Sequence, residues 1–204
     1  MKGLFITIEG PDGAGKSTQI RLLKEYFKNQ GKDIIVTREP GGTDISEKIR
    51  DIILDNDNIT MADTTEALLY AASRAQHVHE KIIPALKEGK IVICDRFVHS
   101  SLVYQGIARG LGIEEVRYIN DFAIEGIKPD VTLFFDIYPE IALKRKTKNN
   151  KGDRLENEKA DFHQRVYEGY KKLIDKYPDE FNVIDATKSI DEIHKDIVKI
   201  LSTI

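Results

Sequence analysis

Tryptophan is absent from the 204 residues, cysteine occurs once and proline only six times. One cysteine excludes a disulfide framework within the chain, and Cys94 is expected to be an ordinary buried strand residue. With so little proline, and no Pro/Ser-rich or low-complexity tract, there is no sign of an interdomain linker, so residues 1–204 are expected to form a single domain. Neither sign of charge dominates: 31 Lys and Arg stand against 34 Asp and Glu, a net charge of −3. That argues against a basic surface that coats nucleic acid. Long apolar runs are also lacking. None approaches the 18 residues a bilayer span requires, and Leu4–Ile8, interrupted by Thr7, is too short for a signal-peptide core. The expectation is a cytoplasmic protein with neither membrane nor nucleic-acid partners. What is present, 41% hydrophobic and 32% charged residues, is the balance of a globular domain that needs no staple.

The chain alternates short β-rich runs with amphipathic stretches. Leu4–Glu9, Asp33–Thr37, Ile91–Asp95, Val131–Asp136 and Phe181–Asp185 read as strands. Helices are expected over Ser17–Asn29, Thr43–Leu54, Ile113–Glu125, Ala160–Tyr177 and Ile190–Ser202, with another opened by Pro139. A long helix is expected from Asp63 to about Leu86, kinked by Pro84. Asp63-Thr64-Thr65-Glu66 has the form of a capping box at its start. Five strands rich in Val, Ile and Phe, separated by helices, predict an α/β fold with a five-stranded parallel sheet and helices on both faces. Ligands of such folds bind beyond the carboxyl ends of the strands. Glu9-Gly10, Arg38-Glu39, Asp95-Arg96, Asp136 and Asp185 stand there; the last two are more ordinary, since an Asp after a strand often only shapes a turn.

Gly10-Pro11-Asp12-Gly13-Ala14-Gly15-Lys16-Ser17 fits G-x-x-x-x-G-K-[ST], between a strand and a helix. Glycines let backbone N–H groups turn inward onto phosphate oxygens, and the helix start adds partial positive charge. Lys16 would reach the β- and γ-phosphates, and Ser17 would ligate Mg²⁺. A nucleoside triphosphate is the implied ligand. A GTPase-like switch is not: Asn150-Lys151-Gly152-Asp153 has the form N-K-x-D but follows a run of lysines rather than a buried strand. Nor does a strand end in D-x-x-G.

Cations gather where phosphates would have to be neutralised. Arg38 lies in Thr37-Arg38-Glu39-Pro40-Gly41-Gly42-Thr43. Asp95, placed to hold Mg²⁺ directly or through water, precedes Arg96, suited to bridging phosphates. Residues 144–154 hold six Lys and Arg against Asp153 alone, as a mobile lid over phosphates would. An acceptor that is already a phosphate needs these cations and no general base. The one candidate base for a hydroxyl acceptor is Glu39, and a deoxynucleoside kinase using it is the alternative reading. Tyr70 and Arg74, four apart on one helix face, suit a nucleobase platform in which the ring stacks and the guanidinium donates.

GPDGAGKST, TREPGGT, YAASR, CDRF and SSLVYQG together resemble the bacterial thymidylate kinases, and the likeness extends over the whole chain to DATKS before the last helix. The resemblance implies the P-loop nucleoside monophosphate kinase fold with a mobile lid at about residues 145–157. It also implies a homodimer, and transfer of the γ-phosphate of ATP to dTMP with Mg²⁺, giving dTDP for dTTP synthesis.

It further implies roles for single positions. Gly10, Pro11, Asp12, Gly13, Ala14, Gly15, Lys16, Ser17 and Thr18 hold ATP phosphates. Asp12 also reaches the sugar 3′-hydroxyl of dTMP, Arg38 binds its phosphate, Tyr70 stacks on thymine and Arg74 reads a base carbonyl. Arg96 bridges donor and acceptor, Ser101 faces the thymine N3 edge, and Tyr104 lies under the deoxyribose with Gln105 beside it in the substrate site. Arg145 falls near the adenine. Ser17 and Asp95 are the metal-binding pair, and Lys16, Asp95 and Arg96 carry catalysis together with a lid cation. Members of the family place that cation either in the phosphate loop or in the lid; with glycine at position 13, the lid type is implied, and Arg154 is the first choice.

Overall fold

Alternate residues of the first strand face opposite ways, and both ways lead into apolar packing. A computed structural model describes residues 3–145 and 152–203. In β1 (Leu4–Glu9), Phe5 joins Val92, Cys94 and Phe134 under one sheet face. Ile6 and Ile8 join Ile93, Leu133 and Phe135 under the other. Burial on both faces is what a parallel sheet flanked by helices requires. The remaining strands are β2 (Ile34–Arg38), β3 (Ile91–Asp95), β4 (Val131–Asp136) and β5 (Asn182–Asp185). All pair in parallel, in the order β2-β3-β1-β4-β5. The chain leaves β1 toward one edge and later crosses to β4 on the other side, so the switch point lies at β1. The register brings Arg38 beside Asp95 and Asp136 beside Asp185, which aligns the charged strand ends along one edge.

Helices α1 (Lys16–Asn29) and α9 (Ile190–Leu201) cover the Ile6 face through Ile20, Leu23, Ile193 and Ile197. The Phe5 face is covered by a longer series. It comprises α2 (Asp44–Leu54), α3 (Asp63–His77), α4 (Ile83–Lys87), α5 (Val98–Ser101), α6 (Ile113–Ala123) and α8 (Ala160–Lys176), with α7 (Pro139–Arg145) beside the first loop. Phe134 lies between Tyr170, 4.8 Å away, and Phe181 at 6.5 Å. Replacing it by alanine is expected to cost about 3–5 kcal/mol.

Three features differ from the sequence expectation. The long helix does not run unbroken to Leu86: Val78–Ile82 is a π-helical turn, in which the Ile83 N–H reaches Val78 O. Pro84 has no N–H to give, and the widened turn lets its ring pass the preceding carbonyls. The capping box at Asp63 does not form. Ala62 is the N-cap, with no side-chain cap, and Glu66 turns inward, 1% exposed, to two arginines. Buried ion pairing outweighs an exposed cap hydrogen bond. Finally, Val98–Ala108, assigned to no element from the sequence, is α5 followed by a second π-helical stretch, Leu102–Ala108. Its start is capped from another element: Glu9 Oε1 accepts from Phe97 N at 2.8 Å and Ser100 N at 3.3 Å.

Candidate active site

The glycine loop between β1 and α1 is built around Lys16. Its Nζ donates to Gly10 O and Pro11 O, both at 3.0 Å, so the chain curls around its own cation. Lys16 is only 6% exposed. Burial, then the nearby Arg96 charge, holds its pKa below the ordinary lysine value. Gly13 has φ +83°, and a Cβ there would lie 2.1 Å from Ala142 O. No side chain fits without moving α7, so this loop has no room for an arginine of its own.

A cleft of about 580 Å³ runs along the loop. It is lined by residues 12–19, Asp95, Arg145, Glu156 and the start of α9. Asp12, Gly13, Ala14, Gly15, Lys16, Ser17 and Thr18 therefore share one wall, with Gly10 and Pro11 held beneath by Lys16. Arg145 donates to Ala186 O at 2.7 Å and so forms the rim. The rim residues Lys188 and Ile190 carried no role in the sequence reading. Only the sheet, which brings DATKS beside the glycine loop, puts them there.

Across the loop lies a second, smaller pocket lined by Glu39, Tyr70, Arg74, Arg96, Ser100, Ser101, Tyr104 and Gln105. Arg96 spans the two. Its Nη2 is 2.8 Å from Asp12 Oδ1, its Nη1 donates to Ser100 Oγ at 3.2 Å, and its guanidinium lies over the Tyr104 ring at 5.1 Å. Its backbone is left-handed, φ 67°, a conformation costing about 1–3 kcal/mol for a residue with a Cβ. The turn is held by Arg96 N donating to Ile8 O at 2.9 Å and by the Glu9 cap on Phe97. Glu9, buried at the end of β1, also accepts from Ser100 Oγ and Tyr170 Oη at 2.5 and 2.8 Å. Its charge and its place at a strand end were visible in the sequence; its role as the post that anchors α5 was not.

The wall of the second pocket is held by a buried hydrogen-bond network. Arg74 is 2% exposed. It gives Nε to Glu39 Oε2 at 2.6 Å and Nη1 to Ser101 Oγ at 3.1 Å, and it also meets Asn120 Oδ1. Glu39 Oε1 lies 2.9 Å from His77 Nδ1, whose Nε2 is 2.7 Å from Thr37 Oγ1. Both oxygens of Glu39 are thus committed, which disfavours it as a free general base. Tyr70 is half-buried, and burial first, then Glu66, pushes its phenol well up. Tyr104 is pushed up to about 12, chiefly by burial; both stay neutral. Gln105 gives Nε2 to Glu66 Oε1 at 2.9 Å, and its own Oε1 is buried without a partner among the described residues.

Adjoining the cleft, Ser17 and Asp95 line a common opening with Arg38 and Lys81. Asp95 Oδ1 is buried and has no hydrogen-bond partner among the described residues. A buried carboxyl oxygen left so is expensive unless a partner completes it, and with the Ser17 hydroxyl it forms an all-oxygen donor set suited to Mg²⁺. Arg38 lines this opening tied up in a forked pair with Glu47, 2.6 and 3.0 Å. Arg154 is likewise engaged, giving Nη2 to Glu66 at 2.7 Å and Nε to Ile53 O at 2.8 Å. Lid residues 146–151 lie outside the described residues.

A glycine loop at the switch point of a parallel sheet, facing a second pocket rich in arginine, defines a P-loop kinase of the nucleoside monophosphate type. The family model described as thymidylate kinase matches residues 8–197. Similar chains include the thymidylate kinase of Clostridium novyi, 54% identical over 96% of this chain and 97% of that one. That of Finegoldia magna is 56% identical over 97% of each. The crystal structure of thymidylate kinase from Ehrlichia chaffeensis superposes with a TM-score of 0.79 at 31% identity, covering 99% of both chains. The chain belongs to the thymidylate kinase family.

Proposed function

We propose that this protein transfers the γ-phosphoryl group of ATP to dTMP, yielding dTDP and ADP. The observation that carries this reading is the double commitment of Glu39 to Arg74 and His77 beside a pocket lined by Arg96. The second pocket offers Arg74 and Arg96 beside an acceptor phosphate, and its one carboxylate, Glu39, is committed on both oxygens. An oxygen of the dTMP phosphate bonds to the γ-phosphorus while the bond to the β–γ bridging oxygen breaks, and ADP leaves. Lys16 and Arg96 neutralise the charge on the moving group. Bound at Ser17 and Asp95, Mg²⁺ would neutralise the β- and γ-oxygens.

On the acceptor side, Arg38 takes the phosphate, Asp12 and Tyr104 the sugar, and Tyr70 and Arg74 the base. Ser101 already accepts from Arg74 and so braces it. Gln105 brings an unfilled acceptor that suits the thymine N3–H. On the donor side, Arg145 lies where the adenine enters. The crowding at Gly13 supports a lid source for the remaining cation, and Arg154 can serve once it leaves Glu66. Leu68 and the outward faces of α2 and α6, with Ile45, Ile52, Tyr118 and Phe122 exposed, support a homodimer across these adjacent helices. A cytoplasmic enzyme is the simplest reading, and no helix of the described residues is long and apolar enough to cross a membrane. The test is nucleotide turnover with ATP and Mg²⁺ plus dTMP, plus thymidine, or plus neither. Turnover with dTMP alone is expected; preference for thymidine overturns the reading.

A further inference from the structure

Glu66 touches neither the phosphate loop nor the strand ends, yet it is 1% exposed and carries three cationic or polar partners. Its Oε2 accepts from Arg109 Nη2 at 3.1 Å and Arg154 Nη2 at 2.7 Å. Its Oε1 accepts from Gln105 Nε2 at 2.9 Å and, more weakly, from Arg109 Nε at 3.3 Å. Although burial pushes its carboxyl up, the bonds from Arg109, Gln105 and Arg154 hold it below the usual value. Glu66 is therefore an anion, and an anion can only accept.

That settles the orientation of the Gln105 amide by chemistry. The two ends of a glutamine amide are nearly isosteric but opposite in hydrogen bonding. Facing a carboxylate, the NH₂ end must turn to Glu66, which leaves the carbonyl as the free end, the atom found buried without a partner. We propose that Glu66 is a positioning residue for base selectivity: it locks Gln105 with its acceptor toward the base and so selects a base with N3–H over one with an N3 lone pair. Arg109 keeps Glu66 charged even when Arg154 moves, since it is tied as well to Glu158 at 2.6 Å. The inference rests on the reading of the base pocket given above. Thymine offers N3–H to Gln105 and O4 to Arg74. Cytosine would set its N3 lone pair against the Gln105 oxygen and its amino group against the guanidinium. A site that leaves its polar groups mismatched in this way rejects the wrong ligand by about 10⁴-fold.

Glu66→Gln tests the lock in an informative direction. The two shorter arginine bonds at Oε2 outweigh the single 3.3 Å contact of Arg109 Nε at Oε1 and hold the new amide oxygen at Oε2, so its NH₂ is presented at Oε1. Gln105 must then turn over and offer a donor to the base. The expected result is a fall of about tenfold or more in the ratio of kcat/KM for dTMP to that for dCMP, with dCMP improved in absolute terms and KM for dTMP raised. A folded Glu66→Gln enzyme whose ratio stays within about threefold of wild type, while Gln105→Leu collapses it, overturns the positioning role. If Gln105→Leu itself leaves the ratio unchanged, the base-pocket reading fails instead. The wild-type enzyme supplies a measurement that does not depend on the fold of the Glu66 variant. The Gln105 side-chain NH₂ signals in the ¹⁵N-labelled protein, assigned by their loss in Gln105→Leu, are expected to be shifted downfield and slow to exchange. Freely exchanging, unshifted signals overturn the proposal.

Discussion

Glu39 and Arg74 form a buried ion pair, Oε2 to Nε at 2.6 Å, with each side chain 2% exposed. The carboxylate is finished by His77 and the guanidinium by Ser101 and Asn120. Such a network is satisfied as a whole and costly to break in part. Removing one partner of a buried pair costs about 3–5 kcal/mol. Glu39→Ala is accordingly expected to lose about that much in urea unfolding and to lower kcat/KM for dTMP, because Arg74 loses its bracing. Thymidine is expected to remain a non-substrate for both proteins. Thymidine turnover in wild type that disappears in Glu39→Ala, with stability unchanged, would instead make Glu39 a base.

On the role proposed for Lys16, Lys16→Ala removes a charge from the transition state together with a brace from the loop. Loss of a phosphate-neutralising cation is expected to lower kcat by about 10³-fold or more. Because Nζ ties Gly10 O and Pro11 O, the midpoint of thermal unfolding should also fall by a few degrees, with far-UV circular dichroism unchanged. Turnover within about tenfold of wild type contradicts the assignment.

Arg154 is held by Glu66 in this conformation, so the service to ATP proposed for it requires an exchange of partners. Arg154→Ala is expected to lower kcat by about 10³–10⁵-fold while KM for dTMP changes by no more than about threefold. The readout is steady-state kinetics at saturating ATP. A variant that loses only stability leaves Arg154 as a structural partner of Glu66 and returns the catalytic cation to another lid residue.

Strong acid should weaken the Arg38–Glu47 fork. Hydrogen bonding from Arg38, then the bond from Gly42 N, holds the Glu47 carboxyl down at about 2 from its usual 4.5, against a burial contribution that raises it. A depressed carboxylate contributes stability that is fully present above the unfolded value and is lost as pH falls toward the folded one. Wild type is therefore expected to be more stable than Glu47→Gln at about pH 6, with the difference shrinking between about pH 4.5 and 2. The groups are 46% and 40% exposed, so the difference is about 1 kcal/mol at most. Paired melting curves at several pH values check it; a gap that widens in acid contradicts it.

The phosphate loop and the strands were legible in the amino-acid order because their determinants are local. Glycines at 10, 13 and 15 take the positive φ values the loop needs, and a five- or six-residue apolar run can only be a buried strand or a fragment of helix. TREPGGT, CDRF and SSLVYQG likewise carried the family resemblance as contiguous words. Tertiary structure decided what those words are bonded to. Glu66 read as a cap because its neighbours in sequence make that pattern. It turned inward because Arg154, 88 positions away, and Arg109, 43 away, arrive there through the fold. For Arg74, helical spacing says that it shares a face with Tyr70 and not what covers that face. Val98–Ala108 gave no helical signal, since its start is capped by Glu9 from 88 positions upstream. Helix propensity and turn chemistry are properties of adjacent residues; the satisfaction of a buried charge depends on groups that only a folded chain brings within 3 Å.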